Sequence, residues 1–236
     1  YTSDNFLSVA DGIIAWKKAD NGSEPDGYLI NDKYLENAGT TPGDWYPIAL
    51  GRLGIQDNNE GYLAVIKDRV EERYRESGRL SAAKATEWHR IALAVLAMGG
   101  DPTNFGTDEN GAPINLISDG TYDRGKTTPL GRQGINGWIW GLITLDSMRY
   151  AVPDGAYNTR DDIIVEIISK QLSDGGFALS SDDADPDITA MAITALAPYY
   201  NSEKIYSYHR KALSADESKT VHEVVDEAVL CLSRLQ

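Results

Sequence analysis

Four short segments of this chain are apolar on nearly every side of a helix, and they recur: IALGRLG from Ile48, IALAVLAMG from Ile91, WGLITL from Trp140 and MAITAL from Met191. Ile48 to Leu53 superposes on Ile91 to Leu96, Trp140 to Leu145 and Met191 to Leu196, with steps of 43, 49 and 51 residues. A helix without a polar face must be covered all round. The cover stands in the sequence between these segments, where apolar residues fall at spacings of three and four: Phe6, Val9, Ala10, Ile13 and Trp16; Leu63, Ile66, Val70 and Tyr74; a third segment near Ile114 to Ile117; and Val225, Ala228, Val229, Leu232 and Leu235. Each buried segment follows a more amphipathic one, so the order reads outer then inner four times. An unpaired outer helix from about Thr220 follows, headed by a capping-box pair, Thr220 and Glu223.

A two-helix repeat with one member buried predicts an all-α fold in which an inner row is enclosed by an outer row, as in a ring or solenoid. With 42% apolar residues in 236, the chain can bury such a core as a single domain over 1–236. The long connections over 21–42 and 99–130 contain Tyr, Leu and Ile and read as loops wrapped on the surface. Thirty-six acidic residues against 22 basic ones give a net charge of −14, which repels a phosphate backbone and argues against nucleic acid as a partner. No stretch reaches the length of a membrane-spanning helix, so no membrane insertion is expected. The single Cys231 allows no internal disulfide and reads as a small buried hydrophobe. An acidic, Tyr-rich, nearly Cys-free composition suits a secreted bacterial protein whose leader has been removed, and equally an acidic cytoplasmic one.

Four residues before each repeat start stands a polar residue: Asp44, Glu87, Asn136 and Asp187. Two readings fit this row. In a closed ring the side chains converge on one mouth, where carboxylates raise one another's pKa; alternatively they cap helices and complement their dipoles. Asp185 before Pro186 is itself a cap followed by the residue best suited to the first helical position. Aromatic residues recur beside the same row at Trp45, Tyr46, Trp88, Trp138 and Trp140, with His89 among them, and either line a mouth for a flat apolar ligand or pack the core. His89 has no His or Cys partner at ligand spacing, and the acidic run around Asp182 and Asp183 lacks the spacing and glycine of a calcium loop, so no metal and no cofactor is expected. His209 falls in a loop and His222 on the last helix.

The stretch from Gln171 through Gly175, Gly176 and Phe177, followed by Asp185-Pro186-Asp187-Ile188-Thr189-Ala190-Met191, resembles the prenyltransferase and squalene-oxidase repeat superfamily. It is similar to the Q-x3-G-x-aromatic repeat and to the D-x-D-D-T-A acid motif of squalene and oxidosqualene cyclases, with Phe177 for the usual Trp and Ile188 for the last Asp. That resemblance implies an α/α toroid, here partial, with about four outer–inner hairpins and a final outer helix. If the chain is a cyclase, the resemblance puts Asp187 in the proton-donor position and Asp185 in that of the first Asp. DITAMAITALAPY and DWYPIALGRLG look more like bacterial surface proteins related to the cobalamin carriers intrinsic factor and transcobalamin. The toroidal prenyltransferases hold zinc through a Cys just after the Asp; Ile188 follows Asp187, so zinc is not implied.

Three functions follow as expectations. The first is a non-catalytic, secreted or cell-surface toroid that binds a small apolar or planar ligand, such as a corrinoid or polyprenyl group, through Asp44, Trp45, Tyr46, Glu87, Trp88, His89, Asn136, Trp138, Trp140 and Asp187. The second is a cyclase-like enzyme with Asp187 as general acid. The third is a structural or adhesive repeat domain. The likeness of VVDEAVLCLSRLQ to IIVEIISKQ further suggests another turn and inner helix beyond Gln236, and with it further domains of the same polypeptide.

Overall fold

Each apolar segment of the repeat forms a helix. In a computed structural model, which describes residues 3–123 and 129–235, the segments starting at Ile48, Ile91, Trp140 and Met191 lie within α3 (Thr41–Leu53), α5 (Thr86–Ala97), α7 (Ile135–Asp146) and α9 (Pro186–Leu196). The amphipathic segments at 6–16, 63–74 and 225–235 lie in α1 (Ser3–Asn21), α4 (Asn59–Ser77) and α10 (Val221–Leu235); of the segment at 114–117 only the end enters a short α6 (Leu116–Gly120), and α8 (Arg160–Ile168) stands before α9. A short α2 (Asp32–Leu35) and an antiparallel hairpin of β1 (Ile205–Arg210) and β2 (Ala215–Thr220) complete the named elements. The described chain is thus predominantly helical. Burial of the inner members is uneven. In α7, Ile135, Ile139, Leu142, Thr144 and Leu145 are buried while Asn136, Trp140 and Ile143 form a half-buried face, whereas α3 and α9 bury a narrower side.

The chain folds as two compact units, Tyr1–Leu80 with Arg90–Asn115, and Ser81–His89 with Leu116–Gln236. In the first unit α4 buries Tyr62, Ile66, Val70 and Tyr74, one per turn, and is closed by an Asn58 cap that accepts from the Gly61 N–H and by left-handed Gly78. Helices α3 and α5 meet through glycine: a Cβ on Gly51 would stand 2.0 Å from the Ala97 carbonyl oxygen. The 21–42 connection includes α2 and is pinned by Asp57, whose carboxylate accepts from the Leu29 and Ile30 N–H groups. Helix α1 forms as its periodicity predicts, but its apolar face is not in the core. Phe6, Val9, Ile13 and Trp16 are each at least half exposed.

In the second unit Gly137 lets α7 press against the Leu130 carbonyl, where a Cβ would stand 2.0 Å away. A capping box between Thr159 and Asp162 starts α8, and the expected pair Thr220 and Glu223 is likewise reciprocal at the head of α10. The buried side of α10 comprises Val221, Val224, Val225, Ala228 and Cys231; Val229 and Leu235, expected on that side, are about half exposed. The segment holding His209, expected to be a loop, is strand β1. Its sequence hides the strand because the inward residues are Tyr206, Tyr208 and Arg210, while its partner ADESKT has no apolar alternation at all. The hairpin is fixed by charge: Arg210, 3% exposed, reaches Glu217 and Glu227 at 3.3 and 3.2 Å, and Lys219 reaches Glu227 at 2.5 Å. Helix α6 and a 3-10 turn at Leu130–Gln133 break up the expected 99–130 loop, of which 124–128 lie outside the described residues.

Candidate functional site

The polar row divides between the two units. Asp44 belongs to the first unit, and Glu87, Asn136 and Asp187 belong to the second. Asp44 is completely buried on α3 and accepts from the Arg90 guanidinium at 2.8 Å, the Tyr62 hydroxyl at 2.8 Å and the Gly39 N–H at 2.7 Å. Burial pushes its carboxyl upward in pKa, against the opposing pull of Arg90, Tyr62 and the Gly39 amide. The loss of water and the same carboxylate push the Tyr62 hydroxyl far up. Arg90 also donates to the Gly39 carbonyl at 3.1 Å and to Thr41 at 3.3 Å, so this cluster ties the chain before α3 to α5. Trp45 beside it is 41% exposed, and Tyr46 packs edge-on against Tyr34.

In the second unit Trp88 and His89 are core residues. The His89 Nε2–H donates to the Gly120 carbonyl at 2.7 Å, which fixes the tautomer and leaves Nδ1 enclosed without a hydrogen-bond partner among the described residues. Burial lowers its pKa to about 4, so the ring is neutral at physiological pH. Glu87, Asn136 and Trp140 are half-buried, the Asn136 Oδ1 being enclosed without a partner. Asp185 caps α9 by accepting from the Asp187 and Ile188 N–H groups at 2.8 and 3.0 Å, and Asp187 stands exposed in the first turn.

The Gly-Gly-aromatic turn is a packing device. Gln171 is fully buried and its Nε2 donates to the carbonyls of Gly175 and Val224. The Phe177 N–H donates to the Thr189 hydroxyl at 2.9 Å. Gly175 has φ +91°, and a Cβ there would stand 2.7 Å from the Glu227 carbonyl oxygen. The motif therefore ties the end of α8 to α9 and α10.

Among the residues singled out from sequence, Trp138 lines an open cleft on the second unit. This cleft, about 430 Å³, lies between the turn of Pro129, Leu130 and Gly131, the Trp138 indole on α7, the Tyr157–Asn158 connection, and Asp162, Val165 and Glu166 on α8. Gly131 lets the indole lie flat, since a Cβ there would stand 2.9 Å from its Nε1. That nitrogen is buried without an acceptor among the described residues. Asn158 is held by donation to the Thr121 carbonyl at 2.9 Å, Asp162 by its capping box, and Glu166 by Lys170 at 2.6 Å. The walls are thus preset: an aromatic and aliphatic side faces an acidic rim. Tyr157 and the α8 carboxylates carried no signal in sequence beyond their place near a helix start.

No cluster of three or more His, Cys, Asp or Glu residues suited to a metal ion occurs among the described residues, and none of their helices is long and apolar enough to cross a membrane. Comparison with protein-family models, curated proteins and solved structures finds no match.

Proposed function

We propose that the chain is a non-catalytic α/α-toroid-like module, with its outer–inner hairpins stacked as a partial ring, that binds a planar or polyprenyl-like apolar ligand in the Trp138 cleft. The observation that carries this reading is the cleft itself: a rigid indole face, Leu130, Val165 and Tyr157 supply dispersion and stacking, and the fixed polar rim of Asn158 and Asp162 orients what enters. Its size suits the edge of a corrin-like macrocycle or a short run of isoprene units. The resemblance to bacterial surface proteins supports action outside the cytoplasm. The cyclase alternative needs a desolvated acid at Asp187, and that carboxylate stands in the open. The structural or adhesive alternative is favoured by one observation, that Asp44, Asp185 and the Gln171–Phe177 turn are all committed to packing or capping.

Calorimetric titration with cobalamin and with a detergent-solubilised polyprenol separates these readings. Saturable heat with one ligand, weakened at least about tenfold in Trp138→Ala, supports the cleft. Absence of heat with either ligand favours the structural reading, and a cyclic product from squalene that is lost in Asp187→Asn would replace both.

A further inference from the structure

Helix α1 presents an apolar stripe that its own unit leaves uncovered. Phe6, Val9, Ile13 and Trp16 follow the alternating three-and-four spacing of a helix-pairing seam and are 58, 55, 50 and 62% exposed. We propose that this stripe is a homodimer interface, in which α1 of one copy lies antiparallel on α1 of a second copy about a two-fold axis. An isologous contact requires that each residue meet its partner's counterpart in both directions. The stripe has that property about Asp11: Phe6 and Trp16 stand five positions to either side of it, Val9 and Ile13 two, so phenyl meets indole and valine meets isoleucine. Asp11 itself is on the opposite side of the helix at 3.6 residues per turn, out of the seam.

Charge favours the same occupant. In a chain of net charge −14, residues 6–16 hold no charged side chain but Asp11, so this is a face on which two copies can meet without bringing like charges together. At the end of the seam Lys17 and Asp20 neutralise each other at 2.6 Å. The flanks are small: Ala10 and Gly12 border the stripe, and a Cβ on Gly12 would meet nothing within 4 Å, so two helix axes can approach closely. Area is consistent with a pair. Four side chains at this exposure, with aromatics offering roughly 150–250 Å² each, present on the order of 450 Å² per copy. With the flanks, a pair buries about 1,000 Å², the lower bound of a specific interface and the size of a weak, reversible dimer.

Sedimentation velocity over about 1–200 µM tests this. The wild-type chain is expected to shift with concentration toward twice its 25.8 kDa mass, while Ile13→Glu stays monomeric with unchanged helical circular dichroism. Concentration-independent monomer, or a dimer that survives Ile13→Glu, overturns the proposal. Register is read by oxidising an equimolar mixture of Val9→Cys and Ile13→Cys chains: a disulfide between the two variants well beyond its share from random pairing supports the antiparallel seam, and a random share or predominance of the Val9→Cys self-disulfide contradicts it. Co-flotation of α1-intact but not Ile13→Glu chain with phosphatidylcholine vesicles, without dimer in solution, would assign the stripe to a lipid surface instead and sink the proposal.

Discussion

At the scale of single residues, two buried polar side chains set the pH and mutational response. His89 is neutral in the fold because burial strips water from its ring and its second nitrogen has no hydrogen-bond partner among the described residues, and its pKa falls from 6.5 to about 4. As pH drops below 6.5 the unfolded chain takes up the proton first. Stability is therefore full above that value and is lost between pH 6.5 and about 4, by roughly 3 kcal/mol from this residue. His89→Gln keeps a donor for Gly120 but does not titrate, so urea unfolding across that range is expected to show a shallower pH slope in the variant; an unchanged slope contradicts the assignment. Asp44 is completely buried against Arg90. Arg90→Met leaves an unpaired buried carboxylate and is expected to lower unfolding free energy by about 3–5 kcal/mol, measured by denaturant midpoint.

At the scale of elements, the resemblance motifs make mechanical predictions. Gly175 combines φ +91° with a carbonyl where its Cβ would go, so Gly175→Ala is expected to cost about 2 kcal/mol or more. Asp185→Ala removes the α9 cap at about 1 kcal/mol, whereas Asp187→Ala, which removes only an exposed first-turn acid, costs a few tenths. Thermal melts of the three variants check this order; equal losses at Asp185 and Asp187 would contradict the capping assignment. The helices were legible because each inner segment combines length with apolar periodicity, and the caps because Thr220, Glu223 and Asp185-Pro186 are local signals. The hairpin at 205–220 was not legible, since a buried arginine and a polar partner strand replace alternation. Nor was the destination of Asp44: its partners Tyr62 and Arg90 lie 18 and 46 positions away, and no local spacing announces them.

At the scale of the molecule, the four repeated apolar segments are all helical, but the polar row spreads over two units and the aromatic row divides between core and surface. Trp88 is core, Trp45 and Tyr46 sit beside the sealed Asp44 cluster, and Trp138 faces the cleft. That division separates an aromatic residue that lines a cleft from one that packs, a distinction sequence could not draw because both stand at the same end of the repeat. The proposed function rests on the Trp138 cleft taking up a ligand, and the indole N–H region of a ¹⁵N correlation spectrum reads that event at the residue concerned. The five tryptophans give five resolvable signals, and Trp138→Phe assigns one of them. Titration with cobalamin or a solubilised polyprenol is expected to shift the Trp138 signal saturably and the Trp88 signal little. A spectrum in which every indole signal stays fixed at millimolar ligand, or in which Trp16 and Trp45 move and Trp138 does not, would rule out the cleft as the binding site.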